Sequence, residues 1–468
     1  MKTLIQGGRV LDPARGFDAI ADVALVDSTI AAIETVADGF QPDRVLDARG
    51  RWVLPGLVDL AVRLREPGHE HEGMLDSEMA AAIAGGVTSL VCLPDTDPVL
   101  DEPGHEHEGM LASEMAASVA GGVTSLVCLP DTEPVLDEPG LVKMLRFRAE
   151  KLNRAHVYPL GALTRGLQGQ VLTEMVELTD AGCVAFSQAD VALTDTLVLY
   201  RALQYAATFG YQVWLRPQDA HLGGGVAASG PLAMRMGLSG IPVAAESIAL
   251  HTIIELVRAT GARVHLCRLS SAAGVALLRQ ARTEGLPLSA DVSIHNLHLT
   301  DADIGYFDGR ARLAPPLRQH ADREALRTAL ADGTIDALVS DHNPVDADAK
   351  NLPFAEAEAG ASGVELLASL ALKWSQDHKV PLLRALQVVT SAPAALLGPA
   401  LGRRQGRVGC LQVGAAADLC IFDPEARWVV RPEALCSQGK HTPFAGYELP
   451  GVVRHTLVAG ELVHSAIS

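Results

Sequence analysis

The sequence predicts an α/β fold: a (β/α)8 barrel of the TIM type, joined to a small composite β domain built from both ends of the chain. Three observations carry this reading. Strand-length apolar runs alternate with helical stretches through the middle of the chain. Residues 1–54 and 405–468 read instead as short strands broken by Gly, Pro and Asp. With 468 residues and 48% apolar content, there is material for a barrel-sized core and a smaller partner.

The elements follow in order. "TLIQGGRVLDP" and "DVALVDSTIAAIE" alternate apolar and polar residues, as half-buried strands do. The tail repeats that pattern in "GAAADLCIFDPEARWVV" and "VVRHTLVAGELV". Between them, residues 55–404 are assigned to the barrel. Its strands are read in "VTSLVCLP", "YQVWLRP", "ARVHLCRLS", "LPLSADVSI" and "IDALVSDH". Helices are read in "DTLVLYRALQYAATFG" and "AAGVALLRQARTEG". Polar residues gather just after the apolar runs, which in such a barrel is the catalytic face.

Residues 65–100 recur almost unchanged at 101–136, an offset of 36. Each copy carries a loop, a helix and a strand. Strand number, tilt and shear are linked in a closed barrel, so eight strands leave no slot for a ninth. One copy is therefore expected outside the barrel or poorly ordered.

A net charge of −18 and a pI near 5.3 repel nucleic acid and anionic membrane, and both are set aside as partners. No Lys/Arg-flanked apolar segment opens the chain, and no apolar run approaches the roughly 18–20 residues of a membrane span. The cysteines at 92, 128, 183, 267, 410, 420 and 436 include no C-x-x-C pair. Dispersed and odd in number, they read as reduced, mostly buried thiols of a cytoplasmic protein.

Several stretches together resemble the dihydroorotases of the amidohydrolase superfamily. They are "LPGLVDLAVRLREPG" (54–68), "AGGVTSLVCLPDT", "VAFSQAD", "APPLR", "DGTIDALVSDHNP" and "GKHTPF". The resemblance implies the same barrel and end domain. It also implies a binuclear metal centre that activates water to open or close a cyclic imide, since bound zinc lowers the pKa of water to about 7.

Matched position by position, most of that centre is missing. The family's Asp-x-His-x-His frame falls on Asp59, Ala61 and Arg63. Ala61 has no lone pair, and Arg63 is a permanent cation. The bridging carboxylate or carboxylated lysine falls at Gln188 and Ala189, with Asp190 one step late. Arg216 and Arg268 stand where two further histidines belong, and only Asp341 survives. No metal ligand set, cofactor site or catalytic residue is therefore expected. The three arginines are expected to replace the metals electrostatically and to pair with Asp341 as a plug. The substrate clamp is altered as well. Arg65 is kept, Asp95 or Asp131 replaces an asparagine, Ala314-Pro315-Pro316 replaces Asn-Pro-Pro, and Val345 replaces the closing histidine.

Other polar residues have plainer readings. "GHEHEG" places His69, His71, His105 and His107 among glutamates, and reads as a solvated loop in preference to a relocated metal site. His342 reads as a hydrogen-bonded structural residue in preference to a general base. His295 and His298 read as packing residues, residues 221–230 as a glycine-rich loop, and Cys92 and Cys128 as core thiols ending equivalent strands.

The resemblance thus implies an inactive dihydroorotase homologue. Some bacteria carry such a chain as the non-catalytic subunit that assembles aspartate transcarbamoylase, in a complex of six catalytic and six inactive chains in pyrimidine biosynthesis. The alternatives are an active metal-dependent cyclic amidase and an anion sensor using the arginine-lined pocket.

Overall fold

The computed structural model describes residues 1–37, 39–62, 84–92, 125–128, 130–131, 134–144, 156–398, 407–437 and 439–466. Two sheets organise these residues. The first comes from the two ends of the chain. Its strands are β1 (Lys2–Asp12), β2 (Phe17–Val26), β3 (Thr29–Ile33), β4 (Arg44–Asp47) and β5 (Trp52–Pro55). The C-terminal strands β17 (Leu419–Val429), β18 (Glu448–Val458) and β19 (Glu461–Ser465) complete it. Their order is β19-β18-β17-β5-β1-β2-β3, with β4 beside β1.

The antiparallel pairing of β5 with β17 joins the two ends, from Leu419 opposite Pro55 to Phe422 opposite Trp52. The last pair stacks its rings at a centroid distance of 5.7 Å. Alternation on these strands turns Ile5, Val10, Val23, Leu25, Ile30, Val53, Ile421 and Leu457 into one buried cluster. At the β1–β2 register slip between Ile5 and Gly8, Gly7 has φ +70° and packs on Arg49, where a Cβ would lie 2.6 Å from Cγ. Glycine serves both needs there.

The second sheet is parallel and forms the barrel. It contains β6 (Leu57–Val62), β7 (Val87–Cys92), β8 (Ser125–Cys128), β9 (His156–Ala162), β10 (Ala185–Ser187) and β11 (Gln212–Leu215). After the separate two-residue pair β12 (Ala227–Ala228) and β13 (Gly240–Ile241) come β14 (Arg263–Leu266), β15 (Leu288–Ser293) and β16 (Ala337–Val339). The ends of the path meet just beyond β16, where the His342 N–H donates to the Ala61 carbonyl over 3.0 Å. Helices cover the outside. Thr196–Phe209 is capped by the Asp195 carboxylate, which accepts from the N–H groups of Leu197 and Val198, and it ends at Gly210 with φ +72°. Ala272–Thr283 is capped by Ser271. Phe186, Val213, Leu266, Val292, Leu338 and Trp374 belong to the large core between strands and helices.

The barrel and the composite β domain match expectation, but the strand count does not. Among the described residues the barrel sheet has nine strands, because both copies of the duplication contribute one. β7 and β8 are neighbours, with Leu90 opposite Leu126, Val91 opposite Val127 and Cys92 opposite Cys128. The expectation that one copy lies outside the barrel is therefore corrected. The pairing register equals the 36-residue offset of the repeat, so identical residues stand side by side. The physical reason lies in the backbone. Expelling an apolar strand would strand its N–H and C=O groups, whereas inserting it satisfies both of its edges and changes only the barrel's girth.

Deleting residues 101–136 removes β8 and leaves β7 free to pair with β9. The shortened protein is expected to fold cooperatively with a Tm no lower than the parent, measured by circular dichroism during heating.

Candidate functional site

The mouth of the barrel is built from the first residues past each strand. Three of these adopt the left-handed region without being glycine: Ala189 (φ +50°), Arg268 (φ +55°) and Asp341 (φ +51°). Each lies two residues beyond the end of its strand, β10, β14 and β16 respectively. Such a conformation costs about 1–3 kcal/mol and collects at sites where side chains must be aimed.

Arg268 occupies the centre. Its guanidinium is almost fully buried, with Nη1 donating to Asp341 Oδ1 over 3.2 Å and Nη2 donating to Asp190 Oδ1. Arg216 Nη1 lies 3.8 Å from Asp190 Oδ2. Burial alone would depress the Arg268 guanidinium, but Asp190 and then Asp341 outweigh it and hold the charge firmly in place. Of the three arginines, Arg268 makes the expected pair with Asp341, while Arg216 turns to Asp190. Arg63 lies outside the described residues, as do Arg65, Asp95 and the four "GHEHEG" histidines.

The remaining matched positions are Ala61 and Gln188. Ala61 is buried and offers its carbonyl to the closing seam. The Gln188 amide donates to Thr164 Oγ1 over 2.9 Å and to the Leu167 carbonyl over 2.7 Å, away from the mouth. The binuclear centre implied by the resemblance does not fit this donor set, since a methyl group and two guanidiniums stand where lone pairs are required. The mouth cavity measures about 30 Å3, room for one or two waters and far too little for a pyrimidine ring. Asp131 lines it together with Ala61, Asp190, Arg216 and Arg268.

His342, His295 and His298 make contacts of the kind expected of packing residues. His342 Nδ1 accepts from the Gly363 N–H over 3.0 Å. His295 stacks on Phe444, and burial pulls it down to about 4 despite Asp341. His298, held by the Leu370 carbonyl, is pulled down to about 3, chiefly by burial. Val345 is fully buried. Residues 221–230 form a loop that ends in β12 and a turn.

Sequence reasoning missed two features. Asp190, dismissed as one step late, is the second carboxylate of the plug. Below the mouth, His265, Cys267 and Asp291 also converge, with one ligand atom from each within 4.8 Å of the others. Their alternation in "RVHLC" and "LSAD" was the available signal.

A parallel barrel with its polar residues at the strand ends, backed by a sheet from both termini, is the architecture of the amidohydrolases. The chain belongs to the amidohydrolase family, whose description matches residues 52–463, and to its dihydroorotase-like members. It is 41% identical to the dihydroorotase-like protein of Pseudomonas aeruginosa, over 99% of this chain and 100% of that one. The dihydroorotase-like protein of Pseudomonas putida is 42% identical, over 99% of each. A dihydroorotase of Anaeromyxobacter dehalogenans is 38% identical, over 98% of this chain and 97% of that one. The L-hydantoinase (dihydropyrimidinase) of Arthrobacter aurescens shares the fold, with a TM-score of 0.79 at 23% identity, covering 99% of this chain and 96% of that chain. Among the described residues no helix is long and apolar enough to cross a membrane.

Two predictions follow from this geometry. Arg268→Ala leaves two carboxylates facing each other and should destabilise the fold by about 3–5 kcal/mol in denaturant titrations. Adding Asp341→Asn should recover part of that loss. Asp59 is the second test. It is fully buried, and burial pushes it up to about 6, against hydrogen bonds from Ser340 and Ala61 that lower it. An acid with a raised folded pKa binds its proton more tightly when folded. Stability should therefore fall as pH rises from about 4 through about 6, by about 3 kcal/mol for the whole shift. Asp59→Asn should flatten that part of the profile.

Proposed function

We propose that this chain is a non-catalytic member of the dihydroorotase-like amidohydrolases and serves as a structural subunit. The partner in this reading is the catalytic chain of aspartate transcarbamoylase. The two would form a hetero-oligomer of six chains each, in the cytoplasm, as part of pyrimidine biosynthesis.

One observation carries the reading. A family ligand position is held by Arg268, and its guanidinium is ion-paired to the last surviving ligand, Asp341. A permanent cation that has its own counter-ion leaves no vacancy for a divalent one. The names of the two Pseudomonas relatives, dihydroorotase-like protein in each case, support the dihydroorotase-like class that both readings share. A barrel keeps its outer surface through core packing even when its mouth changes, so a docking function can outlast the chemistry.

A second reading is an active cyclic amidase. It draws on the Anaeromyxobacter relative, which is named a dihydroorotase.

Co-expression separates the two. The chain should co-purify with aspartate transcarbamoylase as one large species, and transcarbamoylase activity or assembly should drop when it is omitted. The purified chain should show no dihydroorotate turnover, with or without added zinc. Zinc-dependent turnover together with a lack of co-assembly would overturn the scaffold reading in favour of the amidase.

A further inference from the structure

Strands β14 and β15 place four polar side chains on one inward layer of the barrel, where branched apolar residues usually stand. His265 lies opposite Ser289, and the same register carried forward sets Cys267 beside Asp291. Alternation puts His265 and Cys267 on one face and Ser289 and Asp291 on the matching face. His265 and Asp291 are buried, while Cys267 and Asp291 line the mouth cavity. The scaffold reading makes no use of this group.

We propose that His265, Cys267 and Asp291 form a mononuclear site for a borderline-soft divalent cation, zinc foremost, with a fourth position open to the cavity. The site is separate from the altered positions at Ala61, Arg216, Arg268 and Asp341, and it stands whether or not the chain assembles with a partner.

The ligand types suit such an ion. A thiolate, an imidazole and a carboxylate are zinc donors, and three protein ligands with one open position are a common zinc arrangement. Each of the two oxygen and nitrogen ligands is also held from behind. His265 Nδ1 is 2.9 Å from Ser289 Oγ, a hydroxyl that can donate to Nδ1 or accept from it, and this contact turns Nε2 inward. Asp291 Oδ1 accepts the Arg268 N–H over 2.7 Å, leaving Oδ2 to face His265 Nε2 at 2.9 Å. Two nitrogen or oxygen zinc ligands at tetrahedral angles sit roughly 3.3 Å apart, so this pair opens by a few tenths of an ångström, while the Cys267 sulfur, within 4.8 Å of both, closes on the ion by up to about 1 Å.

The charges balance as well. The Cys267 thiol is held well above the ordinary thiol range, by burial first and Asp291 second, so it is protonated without a cation. On binding, the S–H proton leaves to solvent and the sulfur lone pair forms the metal bond. The ring proton that faces Asp291 from His265 Nε2 shifts to Nδ1, where Ser289 Oγ can accept it, and frees the Nε2 lone pair for the cation. The cation, one thiolate and one carboxylate then sum to zero. The nearby guanidinium of Arg268 is already offset by Asp190 and Asp341, and so does not repel the ion strongly.

The test uses the full-length protein, stripped with chelator and titrated with Co2+. The expected result is one Co2+ per chain, a thiolate-to-cobalt charge-transfer band in the near ultraviolet, and loss of that band when Zn2+ is added. Cys267→Ser, close to isosteric, should abolish the band and weaken binding at least tenfold. Cys436→Ser, at an exposed cysteine, should leave both unchanged. Failure to bind Co2+ stoichiometrically, binding without the band, or a band that survives Cys267→Ser would each overturn the proposal. The trio would then be a hydrogen-bonded polar cluster, with any cobalt held by surface histidines.

Discussion

A guanidinium held between two carboxylates governs the mouth of this barrel. Asp341 is buried, where an unpaired charge is costly, and Asp190 reaches the same guanidinium from the partly exposed rim. In the metal-dependent form of the fold the resemblance describes, cations at this place offset such carboxylates. Here Arg268 does so with a charge that cannot dissociate or be chelated away. Its fork also matters. Nη1 and Nη2 reach different carboxylates, which a lysine ammonium could do only by losing directional hydrogen bonds. The neighbouring left-handed turns at Ala189, Arg268 and Asp341 aim the three participants inward. The ion pairs depend on these strained turns, which set the direction of each side chain.

The barrel around the mouth is held by features far from it. The β5–β17 ladder joins the N-terminal and C-terminal halves of the end sheet, and β5 passes through Gly56 directly into the first barrel strand. Closure beyond β16 rests on backbone groups and on the buried Asp59 carboxylate, which accepts from the Ser340 N–H. These constraints fix the two ends of the barrel sheet but leave its middle adaptable. That is why a second copy of a strand could enter between β7 and β9. In-register pairing of identical residues keeps the inward and outward alternation of its neighbour, and register is the property a sheet tolerates losing least.

Much of this was legible in the sequence, for physical reasons that can be named. Apolar runs of strand length separated by helical ones gave the barrel, and the strand-like termini gave the end sheet, since both signals are local. The pairing of Arg268 with Asp341 was also readable, because buried charges require partners and the family frame placed both residues at strand ends. Asp190 was not, since a left-handed turn at Ala189 shifts which side chain faces the mouth, and sequence spacing carries no φ angle. The adjacent placement of β7 and β8 was missed for a related reason. Strand number follows from closure of the whole sheet, whereas the eight-strand expectation came from the usual architecture. The His265–Cys267–Asp291 group escaped because its members look ordinary singly, and only the parallel register of β14 with β15 brings them together.

Arg268 links the two levels of the site. Its backbone N–H donates to Asp291 at the inner layer, while its side chain turns outward to Asp190 and Asp341. One residue can serve both only because φ is +55° there. In an extended conformation the next inward-facing side chain would be fixed by strand alternation, and either the amide or the guanidinium would lose its partner. The same turn orients the carboxylate of Asp291 toward His265 and positions Cys267 at the cavity wall. The mouth is therefore an ordered polar site. Its backbone geometry delivers directed polar groups to the barrel axis, with the Arg268 guanidinium as their shared counter-charge.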